Sequence, residues 1–81
     1  MISTVSDLIA EAMFVSDLQP SQSPSRGAVD AAVTTMVLRY GAEDCGARVA
    51  TEFGDHPETA VPRMAWVRRI LADLAPVPAT A

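Results

Sequence analysis

Apolar residues recur along this chain at three- and four-residue spacings, and short polar breaks divide the pattern into four helical segments. The first segment spans residues 4–18. Val5, Leu8, Ile9, Ala12, Met13 and Val15 share one face of a 100° wheel, with Asp7 and Glu11 opposite. Phe14 and Leu18 fall on that polar side, so they are either covered by later helices or form a contact surface for a partner. The stretch QPSQSPS cannot continue a helix. Ser23-Pro24 then reads as an N-cap followed by proline at the first helical position. The second segment runs from there to Tyr40 and stops at Gly41, burying Val29, Ala32, Val33, Met36, Val37 and Tyr40 and leaving Leu38 off the stripe.

The third segment, residues 42–53, places Cys45, Val49, Ala50 and Phe53 on one face, with Gly46 permitting a close neighbour. Asp44, Arg48 and Glu52 form a four-residue charge ladder on the other face. The fourth segment, residues 57–74, has the widest apolar arc: Ala60, Met64, Trp66, Val67, Ile70, Leu71 and Leu74. It should be the most buried helix, with Arg69 and Asp73 paired on its narrow polar side. Between the last two, Gly54 ends one helix, and Asp55 with Glu58 three residues on fits a capping box. Pro62 should kink the last helix, because it removes the bond to the Glu58 carbonyl. Arg63 points into the apolar arc and must snorkel, pair with Glu52 or Asp55, or meet a partner. The expectation is an all-α compact bundle of four helices in one domain, residues 1–74, followed by an extended tail, residues 75–81.

Composition narrows the chemistry. Eighty-one residues leave room for one core. The 49% hydrophobic content is ample for it. Lysine and asparagine, both with AT-rich codons, are absent, which suggests a high-GC bacterial genome. The net charge of −4 disfavours a nucleic-acid partner, since phosphate neutralisation needs basic surface. Residues 1–55 carry eight acids against three arginines, whereas residues 56–81 carry two acids against three arginines, so any anion-binding surface belongs near the last helix. The lone Cys45 excludes an internal disulfide. No apolar run approaches a membrane span of roughly 20 residues, and no basic leader precedes an apolar stretch. A cytoplasmic protein is expected.

Catalysis requires a nucleophile, base or metal held in a cleft. The single His56 and single Cys45 lie on different helices, no Glu-x-x-His pair recurs, and no glycine-rich phosphate loop exists. Ser-Asp-Leu occurs twice, in place of the Asp-Ser-Leu of phosphopantetheine carriers. These features point away from an enzyme and imply no cofactor and no metal. They point toward a protein–protein interaction module, an adaptor or regulator with a protein partner or a second copy of itself, whose candidate interface is Phe14, Leu18 and Leu38.

Residues 47–71, ARVATEFGDHPETAVPRMAWVRRIL, resemble the helix-turn-helix of bacterial regulators and sigma-factor-like DNA-binding regions. Ala50, Phe53 and Gly54 match that pattern. Asp55 stands where those families have an apolar residue, Arg63 where they have a core residue, and Pro62 inside their recognition helix. The resemblance implies nucleic-acid contacts from His56, Glu58 and Thr59, with Arg63, Arg68 and Arg69 on phosphates. The whole chain is also similar to small helical proteins of actinobacteria to which no chemistry is assigned.

Overall fold

In the computed structural model, residues 4–74 are described, and the expected tail 75–81 lies outside them. The order is α1 (Val5–Val15), a 3-10 turn (Pro20–Gln22), α2 (Arg26–Asp55) and α3 (Pro57–Leu74). The described chain is all-helical, but it has three α-helices rather than the expected four.

The count differs because the expected second and third segments meet directly at Gly41, with no further connecting residues, as one kinked element. The expected second and third segments are arms of one element, α2, with a single non-helical residue between them. Gly41 has φ 80° and ψ 168°, a region essentially restricted to glycine. The bend is sharp. Nine residues advance about 13.5 Å along a straight helix, yet the Cys45 Sγ lies 3.8 Å from the Met36 carbonyl oxygen. The Arg48 guanidinium likewise sits 3.9 Å above the centre of the Tyr40 ring.

Several boundaries also move. Thr4 caps α1 in a reciprocal box with Asp7, whose backbone N–H donates to the Thr4 hydroxyl at 3.1 Å. That helix closes at Val15, short of Leu18. Ser23 belongs to the close of the 3-10 turn, in the left-handed region at φ 45°, so Ser25 caps α2 instead, its hydroxyl accepting from the Ala28 N–H at 3.2 Å. Asp55 is the last residue of α2 and cannot cap α3. His56 precedes α3 instead, and its carbonyl accepts the helix's first backbone bonds, from the N–H groups of Thr59 and Ala60 at 3.1 and 2.9 Å. One residue therefore closes one helix and opens the next.

The expected kink at Pro62 is not a break. α3 is continuous from Pro57 to Leu74. Pro62 and Glu58 are both exposed, so water can satisfy the carbonyl that loses its internal donor.

The core forms two clusters around α1. Ala10, Met13 and Phe14 pack with Val29, Val49, Ala60, Trp66 and Val67, while Ala12 packs with Met36 and Cys45. α1 contacts both other helices, and Ala10, Ala12 and Met13 are fully buried. α1, not the last helix, is thus the most enclosed element. Gly46 brings α2 onto α1 as its small size suggested: a Cβ there would lie 3.4 Å from the Glu11 carboxylate.

Candidate functional site

The C-terminus of α1 has no basic residue in its last turn to answer its unpaired carbonyls. Ser16 answers one of them, donating from its hydroxyl to the Met13 carbonyl at 2.6 Å and accepting from the Leu18 N–H at 3.3 Å. Arg63, one turn and a half into α3, answers another and reaches two carbonyls just beyond the helix. Its Nε donates to the Phe14 carbonyl at 2.8 Å, Nη2 to Ser16 at 2.9 Å and Nη1 to Leu18 at 3.0 Å. The guanidinium lies 5.5 Å from the Phe14 ring centre and 5.6 Å from that of Trp66, a distance at which both faces attract it. Burial pulls its pKa down from the ordinary arginine value, although a guanidinium stays charged in any case. The expected ion pair with Glu52 or Asp55 is not formed; three neutral carbonyls take its place.

Arg63 also lines a cleft of about 600 Å³ between α2, α3 and the end of α1. Its other walls include Phe14, Tyr40, Arg48, Thr51, Glu52 and Thr59. Arg48 bonds Asp44 at 3.2 Å while stacking on Tyr40. The ladder stops there, for Glu52 has no ion-pair partner among the described residues.

The proposed nucleic-acid residues are scattered in their duties. Arg63 is held inside the fold. Arg68 is within 3.5 Å of Asp7, and Arg69 is exposed with no ion-pair partner among the described residues, the expected Asp73 included. His56 is exposed and lies 3.9 Å from Glu58. The Thr59 hydroxyl donates to the His56 carbonyl at 3.1 Å.

No family model matches the chain, and no curated protein or solved structure does either. Geometry alone therefore assigns the remaining roles. Of the three interface candidates, Phe14 is withdrawn from the surface: it is 5% exposed and stacks on Phe53 with ring centres 6.0 Å apart. Leu18 is half-buried against the core. Leu38 is 82% exposed. Phe14 is thus covered by later elements, the structural alternative weighed from its position on the wheel.

Cys45 is buried and donates weakly to the Met36 carbonyl. Burial first, and then the carboxylates of Asp44 and Glu11, push its thiol pKa up, the opposite of what a nucleophile needs. Among the described residues no group of three or more metal-ligating side chains converges, and no helix is long and apolar enough to cross a membrane. The Arg63 contacts were missed from sequence because they span 45 to 49 residues. The one available signal was a cation placed in an apolar arc.

Proposed function

We propose that this chain is a non-enzymatic interaction module, a small cytoplasmic adaptor or regulator, that self-associates through the outer face of the first arm of α2. The observation that carries the reading is Leu38, a leucine 82% exposed in mid-helix. Ala31, Thr34 and Thr35 stand one or two turns before it on the same side, all exposed. A flat strip of small residues with one protruding leucine suits isologous packing of two antiparallel helices.

Sedimentation equilibrium across a wide concentration range tests this. Wild type should dimerise, and Leu38→Ser should be monomeric, with the same thermal stability as wild type at a concentration low enough for both to be monomers. A wild-type monomer at every concentration ends the homodimer reading.

The second reading is a helix-turn-helix nucleic-acid binder using residues 47–71. Exposed Thr59 and Arg69 on α3 support it, while the one-residue joint at His56 is shorter than the turn of such motifs. The engagement of Arg63 and Arg68 elsewhere weighs against it, because it removes two of the three phosphate contacts. Retention of DNA at low salt that weakens in Arg69→Ala would favour this reading.

A further inference from the structure

The cleft beside Arg63 holds four charged side chains, and only two of them are matched. Asp44 and Arg48 pair with each other. Glu52 from α2 and Arg63 from α3 line the same space but are neither within ion-pair distance of one another nor of any other charged group among the described residues. A guanidinium has five N–H donors, and three of those on Arg63 go to neutral carbonyls. Two of its N–H groups therefore have no acceptor among the described residues, and its charge meets no carboxylate there. Glu52, exposed at the same cleft, also has no charged partner among the described residues.

The polar lining between them is biased toward accepting. The Thr51 and Thr59 hydroxyls each use their proton on a backbone carbonyl, Ala47 at 3.0 Å and His56 at 3.1 Å, so their lone pairs face outward as acceptors. Phe14 and Tyr40 supply apolar wall. The volume of about 600 Å³ lies in the usual range for small-molecule sites. A simple anion would be repelled by Glu52, and a simple cation by Arg63. A molecule carrying both charges satisfies both groups at once.

We propose that this cleft binds a small zwitterion of the α-amino-acid class, with its carboxylate on Arg63, its ammonium toward Glu52 and the threonine hydroxyls, and an apolar side chain against Phe14 and Tyr40. Arginine suits the carboxylate because its planar fork matches two oxygens. The site does not depend on self-association through Leu38, which lies outside the lining.

Trp66 is the single tryptophan, and its ring centre is 5.6 Å from the Arg63 guanidinium, so its fluorescence reports on the site. The full chain is titrated with L-leucine and L-phenylalanine, then with N-acetyl-L-leucine, which keeps only the negative charge, and L-leucinamide, which keeps only the positive one. Calorimetry is run in parallel. At least one free amino acid should saturate with Kd on the order of 1 mM, and the single-charge analogues should bind at least about tenfold more weakly.

Glu52→Gln alters an exposed side chain and should leave the fold intact by circular dichroism. It should weaken the free amino acids about tenfold and leave N-acetyl-L-leucine unchanged or tighter. Arg63→Lys, if folded, should weaken both free and acetylated forms; if it unfolds, the Glu52 variant and the analogue series decide alone. The proposal is overturned if neither free amino acid saturates by about 50 mM, far above the expected Kd. It is equally overturned if charged and single-charge forms bind alike, or if Glu52→Gln responds as wild type does.

Discussion

Arg63 donates from Nε to the carbonyl oxygen of Phe14 at 2.8 Å, joining residues 49 positions apart. This bond and its two companions add to the local Ser16 cap a second set of donors delivered by another helix, so the close of α1 is completed only when α3 is docked.

Removal of that cap should therefore destabilise the whole domain. Arg63→Ala leaves the carbonyls of Phe14, Ser16 and Leu18 without their charged donor, and a half-exposed site lets water recover part of the loss. A cost of about 2–4 kcal/mol is expected, with Arg63→Lys losing about half as much, since an ammonium keeps the charge but not the fork. Urea melts at constant m would show it as a lower midpoint. Equal stability of Arg63→Ala and wild type would mean that the contacts contribute nothing.

Glycines at the bend and at the joint should respond in opposite directions. A Cβ meets nothing within 4 Å at Gly41 or at Gly54, so packing is not the issue at either position. Gly41→Ala must hold an L-residue at φ 80°, which costs about 1–3 kcal/mol. Gly54→Ala lies in ordinary helix and should be neutral or stabilise by up to about 1 kcal/mol. Paired thermal melts distinguish the two.

The two off-stripe apolar residues should separate cleanly. Phe14→Ser removes a buried, stacked ring and should cost about 3–5 kcal/mol, enough to unfold a domain of this size. Leu38→Ser should change monomer stability by no more than about 0.5 kcal/mol. Circular dichroism at a fixed low concentration keeps association out of the comparison.

Acid sensitivity should trace in part to the α1 cap. The backbone N–H of Thr4, then its hydroxyl interaction and lastly Arg68 hold the Asp7 carboxyl below its ordinary pKa. A lowered folded pKa means that the unfolded chain binds the proton more readily. The contribution is complete above about pH 4, the unfolded value, and fades as pH falls through the folded one. Asp7→Asn should flatten this limb of the stability–pH curve. An unaltered curve would dismiss the cap as its source.

Cys45 works with the opposite sign. Its thiol pKa is raised by burial, so the folded state keeps its proton longer. Stability should decline as pH rises past about 8.5, the unfolded thiol value. Alkylation of native protein should be slow and match the rate of opening, becoming immediate in urea. Rapid labelling without denaturant would place the thiol at the surface.

Periodicity and punctuation alone determined that the chain is helical, that residues 57–74 form one helix, and much of each inward stripe, though Val5, Ala50 and Phe53 from those stripes are exposed. Those are properties of neighbours within a few positions: a spacing of three or four, a proline that cannot continue a helix, a glycine that punctuates one. The same local signals placed a boundary at Gly41 but could not say whether a helix ended or bent there, because that depends on whether the arms close on each other through Cys45 and Met36. They could not choose between Ser23 and Ser25, which are equal as caps by type. Above all, they could not show what covers Phe14 or what Arg63 meets. Both were decided by the docking of α2 and α3 across the end of α1, where Phe53 helps bury the aromatic ring and Arg63 reaches three carbonyls, contacts between residues that no local rule connects.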